Sequence, residues 1–416
     1  MRLSGFRVER NAGRVRASAD MVWEDCERDP ATLYFEVDED RGEDMVANPH
    51  AFLLAAAVPA LRFGERRIAL AAPACPVLLE GLGAALAIIN EWNYGEKHAP
   101  PVIEVAERVS ELLPRRVERA GTFFSGGIDS YATLRLNELA YPANHPYRIR
   151  EGVLAFGLEQ DDPSKFGFVE SSLRRAAADH GIELTTVATN AYLLYRDEDA
   201  RDGFRFWRNV FEGSALAAIA HSLVHRFSAM SISGTMSSRI LVPSGSHMML
   251  VHSYSSSDLR IHHAGGELTR LQKVAVVVAG DVATSHIRVC NDFRRYSSSS
   301  LNCGECPKCI KTKLEFIALD REDLLAAFSL QEVSASLIRK KVRFMWRYDL
   351  ECYSQLVKPL AARGHRDIAR VLDRMVAMFR LFGPDVGARQ IPERLVRRLR
   401  RVFRPRRTAR ADRGER

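Results

Sequence analysis

A turn with two glycines and two serines follows a short apolar segment near residue 122. It reads Ser125-Gly126-Gly127-Ile128-Asp129-Ser130, and a helix over 129–139 is predicted to follow it. Glycines let a negatively charged ligand approach the bare backbone, and the first amides of a helix are unpaired and carry partial positive charge. Such a turn is suited to a phosphate chain. Ser125 and Ser130 add hydroxyl groups, and Asp129 offers a carboxylate for Mg2+.

The plainer alternative is a strand, a turn and a helix whose Asp and Ser only cap the helix. The complete pattern Ser-Gly-Gly-x-Asp-Ser after an apolar strand nevertheless resembles the loop of the ATP pyrophosphatase superfamily. That resemblance implies cleavage of ATP between the α and β phosphates, giving AMP and pyrophosphate. It also implies that the backbone around Phe156 borders the adenine. The kinase-type loop Gly-x4-Gly-Lys-Ser/Thr does not occur in the sequence, which disfavours transfer of the γ-phosphate.

Two cations lie one helical turn apart in a predicted helix over 269–278. Arg270 and Lys273 have the i, i+3 spacing that puts both on one face. Two cations there would neutralise the charge that develops on a departing pyrophosphate. The alternative is a solvated face without a catalytic role.

Four of the seven cysteines lie within 20 residues of one another. Cys290 is followed by twelve residues and then by Cys303-x2-Cys306-x2-Cys309. Four thiolates at such short spacings suit a tetrahedral structural Zn2+ site with closed coordination. An iron–sulfur cluster also accepts these spacings, and reduced cysteines without a metal are the third alternative. Clustered cysteines indicate metal binding more than disulfides.

The glycine turn and the distal cysteine motif together are similar to the 7-cyano-7-deazaguanine synthase family. The resemblance covers roughly 119–320. It implies activation of a carboxylate as an adenylate, attack by ammonia or an amine, and formation of an amide and then a nitrile. About 118 residues precede the turn here, whereas members of that family begin almost at the turn. Similar proteins with extra N-terminal regions occur in bacterial anti-phage gene clusters. The resemblance implies that this chain could be such a component, in which the same adenylation chemistry could modify a protein or a nucleotide.

Strands and helices alternate from residue 119 onward. The apolar runs predict strands over 122–125, 152–158, 182–187, 228–233 and 286–290. This pattern indicates an α/β fold with a parallel five-stranded sheet and helices on both faces. Ligands of such sheets bind at the carboxyl ends of the strands, where the turn at 125–130 would lie. We place His247, His252, His262 and His263 in a loop-rich segment.

Four regions follow from these patterns. They are a small α+β domain over 1–118, the nucleotide domain with its cysteine loop over 119–320, a helical region over 321–388 and an Arg-rich tail over 389–416. The tail holds 12 Arg and three acidic residues, so its formal charge is +9. The whole chain has a formal net charge of +8, so the residues before the tail carry −1. A basic amphipathic helix there could contact RNA, DNA or anionic lipid, and a solvated tail is the alternative. The first region could bind a partner protein.

No apolar run reaches the roughly 20 residues that span a bilayer, and the N-terminus lacks the apolar core of a signal peptide. We therefore expect a cytoplasmic protein. Its predicted function is ATP-dependent adenylation of a carboxylate or carbonyl oxygen in a small-molecule or macromolecular substrate, with ammonia or an amine as the nitrogen donor. Two rival hypotheses are an RNA-thiolating enzyme with an iron–sulfur cluster and a non-catalytic subunit that binds ATP.

Overall fold

The computed structural model describes residues 1–109, 118–158, 162–195, 203, 205–280, 286–290 and 300–384. The chain divides into two compact units, Met1–Glu332 and Val333–Arg416. We call them unit 1 and unit 2. The predicted Arg-rich tail over 389–416 lies outside the described residues.

Unit 1 contains ten strands and eight α-helices among its described residues. The strands are β1 (Arg2–Asn11), β2 (Arg14–Val22), β3 (Ala31–Asp38), β4 (Arg67–Ala74), β5 (Val102–Arg108), β6 (Ala120–Phe123), β7 (Ile149–Phe156), β8 (Glu183–Thr189), β9 (Ala229–Ser233) and β10 (Arg260–Ala264). The helices are α1 (Pro49–Arg62), α2 (Pro76–Asn93), α3 (Ile128–Ala140), α4 (Pro163–Asp179), α5 (Glu212–Ser222), α6 (Met248–Val251), α7 (Arg270–Val278) and α8 (Pro307–Ala318). A π-helical segment, Trp207–Phe211, leads into α5.

The ten strands form one sheet in the order β10-β9-β6-β7-β8-β3-β2-β1-β4-β5. The prediction of a parallel sheet of five strands is therefore wrong, because the sheet has ten strands and is mixed. Strands β10, β9, β6, β7 and β8 are parallel to one another, whereas β3 joins β8 in antiparallel register through Phe35↔Thr189. The first region of the chain thus extends the sheet of the second. Sequence patterns do not reveal which edges meet, because the pairing joins segments more than 150 residues apart.

The predicted strand over 286–290 is also wrong, and β10 takes the edge position. The backbone amides of 288–290 bond to the carbonyl of Gly126 and to the side chain of Asn302 instead of a neighbouring strand. Strand β10 contains His262 and His263 and pairs with β9 throughout, so those two histidines lie in a strand and not in a loop. The sequence did not predict β10 because its residues lack the alternation of apolar and polar side chains that indicates a strand.

Side chains of the parallel strands alternate between two apolar cores, one on each face of the sheet. Phe123 and Val153 belong to one core, and Phe124 and Leu154 belong to the other. Helix α1 is almost entirely buried in the first core because it lies between the sheet and α5, which explains its continuous apolar run over 51–61. The α/β class with helices on both faces is confirmed.

Unit 2 is helical over its described residues. Its helices are α9 (Ala335–Lys341), α10 (Arg347–Ser354), α11 (Val357–Ala362) and α12 (Arg366–Phe382). Phe344 stacks on Tyr353 with ring centroids 5.0 Å apart and packs on Phe379 at 6.3 Å. Among the described residues we find no helix with both the length and the mean hydropathy that crossing a membrane requires.

Candidate functional site

The order of the parallel strands reverses beside β6. Along the sheet the order is β8-β7-β6-β9-β10, so the chain moves one way from β6 to β8 and then crosses to the other side for β9 and β10. The connections that leave β6 and β9 therefore diverge, and open α/β sheets bind ligands at this point. The glycine turn directly follows β6 at its carboxyl end, as predicted.

The turn itself is held in a conformation that needs glycine. Gly126 has φ +75°, and a Cβ there would lie 2.5 Å from Cδ2 of Leu173. Gly127 is the residue before α3, and its extended backbone points the chain into the helix. Ser130 is buried and donates from Oγ to the carbonyl of Gly127 at 2.9 Å, so this hydroxyl stabilises the turn. Ser125 is exposed at the mouth of the turn.

Arg270 and Lys273 converge on the carboxylate of Asp129. Nη1 of Arg270 lies 3.5 Å and Nζ of Lys273 lies 3.6 Å from Oδ1 of Asp129. Helix α7 begins at Arg270 because Thr269 and Gln272 form a reciprocal capping box, which puts both cations in the first turns of the helix. The predicted pair therefore does share a site with the glycine turn, although Arg270 and Lys273 are only 7% and 1% exposed.

A buried glutamate that the sequence reasoning missed holds Arg270 from the other side. Both oxygens of Glu315 lie 3.2 Å from Nε of Arg270, and Nη2 donates to Oγ1 of Thr312 at 3.3 Å. Burial raises the pKa of Glu315. Thr312 and Glu315 lie on α8, three and six positions after Cys309. The i+3 spacing was available as a signal, but nothing in the sequence pairs α8 with α7.

Lys273 is held by the connection after β9. Its Nζ donates to the carbonyl oxygens of Gly234 and Thr235, and burial lowers the pKa of the amine. The ring of His263 packs against Gly234, where a Cβ would lie 2.4 Å from Cε1 of the ring. Burial lowers the pKa of His263 to about 4. A neutral imidazole beside the ammonium avoids repulsion between two buried cations.

Phe156 ends β7, the strand next to β6. Its half-buried ring lies 4.5 Å from the ring of Phe166, which belongs to α4. The position borders the carboxyl edge of the sheet on the side of β7. The structure thus places Phe156 on the same edge as the glycine turn.

The four predicted metal ligands come together. The sulfurs of Cys290, Cys303, Cys306 and Cys309 all lie within 4.8 Å of one another. Measured pairs are 3.6 Å for Cys290–Cys303, 3.7 Å for Cys290–Cys306 and 3.9 Å for Cys303–Cys309. A tetrahedral ion with metal–sulfur bonds of about 2.3 Å separates its sulfurs by about 3.8 Å. The cluster therefore has the dimensions of a site for a single metal ion such as zinc.

Local backbone geometry prepares these sulfurs for a cation. The amide of Cys306 donates to the sulfur of Cys303 at 3.4 Å, and the amide of Cys309 donates to the sulfur of Cys306 at 3.5 Å. Helix α8 begins next to Cys306, so its positive end also faces the sulfurs. Gly304 has φ +79° between the first two ligands of the loop, where a Cβ would collide with the carbonyl of Leu330.

Asn302 joins the two segments that supply the cysteines. Its Oδ1 accepts from the amides of Val289 and Cys290, and its Nδ2 donates to the carbonyls of Ile287 and Ala327. The side chain is 1% exposed. An asparagine beside a cysteine motif gives no distinctive signal in a sequence, because its role depends on contacts with residues 12 to 25 positions away.

Comparisons of the chain with protein-family models, with curated proteins and with solved structures find no significant match.

Proposed function

We propose that the chain is an ATP-dependent adenylating enzyme that forms AMP and pyrophosphate. The observation that supports this most strongly is the convergence of Asp129, Arg270 and Lys273 beside a glycine turn, at the point where the order of the parallel strands reverses. Anion-binding backbone, a carboxylate for a divalent cation and two cations are the components that phosphoryl and nucleotidyl transfer require.

Each residue has a separate role in this proposal. The amides of the turn from Gly126 to the start of α3 bind the phosphates of ATP, and the backbone near Phe156 borders the adenine. Asp129 would hold Mg2+, which neutralises charge on the phosphates when bound. Arg270 and Lys273 orient the Asp129 carboxylate and add positive potential where negative charge accumulates on the leaving pyrophosphate.

The reaction proceeds by two displacements. An oxygen of the substrate carboxylate attacks the α-phosphorus, the bond from that phosphorus to the bridging oxygen breaks, and pyrophosphate leaves with the electron pair. Ammonia or an amine then attacks the acyl carbon and AMP departs. Proximity and charge neutralisation supply the rate enhancement, so a side-chain nucleophile is not needed.

The four-cysteine site is proposed to hold a structural Zn2+. Closed coordination by four sulfurs leaves no open position for a substrate, and the sulfur separations fit one ion. The pairing of this motif with the glycine turn resembles 7-cyano-7-deazaguanine synthases, which supports a carboxylate and a nitrogen donor as the substrate classes.

The test measures pyrophosphate and AMP formed from ATP with panels of carboxylates and ammonia. We expect Asp129→Asn to lower the rate at least about 100-fold, since it removes the charge that binds the cation. Asp373→Asn, an exposed aspartate of α12, is the matched control and should match the wild type.

Three results would oppose the proposal. Equal rates in wild type and Asp129→Asn would exclude a role for this carboxylate. Tight ATP binding without AMP formation under any substrate would favour a non-catalytic subunit. A brown protein whose activity transfers sulfur to RNA would favour the thiolating enzyme.

A further inference from the structure

Unit 2 differs sharply from unit 1 in charge. Residues 333–384 hold 11 Lys or Arg and four Asp or Glu, a formal net charge of +7. Residues 1–332 hold 37 Lys or Arg and 44 Asp or Glu, a formal net charge of −7. The proposed adenylation chemistry lies in unit 1, so it does not account for the positive charge of unit 2.

One end of unit 2 also exposes large apolar side chains. Leu381 and Phe382, in the last turn of α12, are 61% and 37% exposed, and Met378 is 55% exposed. Met345 and Trp346 are 43% and 49% exposed, and they directly follow Phe344, whose ring packs on Phe379 in the second half of α12. These five side chains (345, 346, 378, 381 and 382) form what we call the apolar tip.

Arginines follow the exposed side of α12 toward the apolar tip. Arg366, Arg370 and Arg374 are exposed and recur at i, i+4 and i+8, so they form one row along the helix. Arg380 is exposed within the tip itself. In sequence the same combination continues over 389–403, where arginines alternate with Ile, Leu, Val and Phe.

We propose that the apolar tip and its arginine row bind the surface of a membrane that contains anionic lipid. Arginines attract the phosphate headgroups, while Trp, Leu, Met and Phe side chains enter the boundary between headgroups and acyl chains. Neither signal alone gives stable binding, and unit 2 has both. Single-stranded nucleic acid would use the cations and the two aromatic rings, but it would leave Met345, Met378 and Leu381 in water.

Vesicle co-sedimentation of the full chain tests this. We expect binding to phosphatidylcholine vesicles that contain phosphatidylglycerol, at least about tenfold weaker binding to phosphatidylcholine alone, and partial release by salt. Leu381→Ser/Phe382→Ser should weaken binding to the anionic vesicles about tenfold. Val77→Ser/Val102→Ser removes two exposed apolar side chains from unit 1, which are 51% and 63% exposed, and should have no effect.

Fluorescence gives a second readout that does not depend on affinity. The chain has four Trp, of which Trp23 and Trp207 are buried and Trp92 is partly buried. Lipid brominated in the acyl chain should quench wild-type emission, and Trp346→Phe should abolish the quenching. Circular dichroism confirms that each variant is folded.

The proposal is overturned if anionic vesicles bind wild type and Leu381→Ser/Phe382→Ser equally, because binding would then be purely electrostatic. Quenching that persists in Trp346→Phe would also overturn it. So would absence of vesicle binding, or competition by single-stranded RNA that depends on the same apolar side chains.

Discussion

The backbone amide of Arg288 donates to the carbonyl oxygen of Gly126 at 2.7 Å. Two residues further along the chain, Cys290 contributes its sulfur to the four-cysteine cluster. The segment over 288–290 therefore bonds to the glycine turn and also supplies a sulfur to the cluster, so a bound metal would hold this segment in place. A second connection runs through α8, because Cys309 lies in the first turn of the helix that carries Glu315 to Arg270, and Arg270 contacts Asp129.

Loss of the metal should therefore weaken nucleotide binding as well as stability. Cys306→Ser should reduce metal content to well below one ion per chain, lower the melting temperature and weaken ATP binding about tenfold, because both connections loosen. Elemental analysis, thermal melting and equilibrium ATP binding measure these effects. Cys26→Ser, which changes a partly buried cysteine outside the cluster, is the control. Metal-depleted protein with unchanged ATP affinity would contradict the connection.

A side chain at Gly126 should disrupt the turn. Gly126→Ala places a Cβ at φ +75° and 2.5 Å from Leu173, so we expect a loss of about 1–2 kcal/mol in unfolding free energy and a strong loss of ATP binding. Gly83→Ala is the comparison, since that glycine is exposed within α2 and a Cβ there meets no atom within 4 Å. It should be neutral or stabilise the protein by about 0.5–1 kcal/mol. Equal responses of both variants would contradict this account.

Glu315 should act on the reaction through Arg270. Glu315→Gln keeps the size of the side chain but removes the charge that balances the buried guanidinium, so Arg270 should pair more strongly with Asp129. We expect the Mg2+ concentration for half-maximal activity to rise several-fold and kcat to fall about tenfold. A Mg2+ titration at saturating ATP measures both. Glu80→Gln, on the exposed side of α2, provides the control, and an unshifted Mg2+ requirement would leave Glu315 a structural residue only.

The sequence sufficed for features that depend on local chemistry. The glycine turn is identifiable because few arrangements other than a strand–turn–helix use two adjacent glycines followed by Asp and Ser. The cysteine cluster is identifiable because three of its ligands occur within seven residues. A glycine two residues after α4, Gly181 with φ +63°, is a common signal for the end of a helix.

Features that depend on contacts between distant segments could not be predicted in the same way. The pairing of β3 with β8 consists of two residue pairs. Because of it, residues 1–118 form one half of the sheet and not the separate α+β domain that the sequence predicts. Glu315 and Asn302 look like ordinary polar residues in the sequence. Their roles appear only in the fold, where α8 brings Glu315 to Arg270 of α7 and Asn302 bonds to the backbone of 287–290. The apolar segment at 286–290 resembled a strand because Ile287 and Val289 are buried there by the cysteine loop instead of a sheet neighbour.

Two buried histidines lie in the core between α1 and α5. The rings of His50 and His221 are 5.7 Å apart, and burial lowers the pKa of His50 to about 4 and that of His221 to about 3. Nε2 of His50 accepts from the amide of Cys75 at 2.9 Å, which requires an unprotonated nitrogen. Both rings are therefore neutral in the folded chain across the range in which an unfolded histidine gains its proton.

Stability should fall as the pH drops from about 6.5 toward about 4, because the unfolded chain binds protons in this window and the folded chain does not. The lowered pKa of His50 alone corresponds to about 3 kcal/mol of unfolding free energy. Urea titrations at about pH 7 and about pH 5 measure the slope. His50→Gln retains an acceptor for Cys75 and does not titrate, so its slope should be shallower than that of the wild type and of His145→Gln, a change in the loop before β7. An equally steep slope in His50→Gln would show that other groups govern the acid sensitivity.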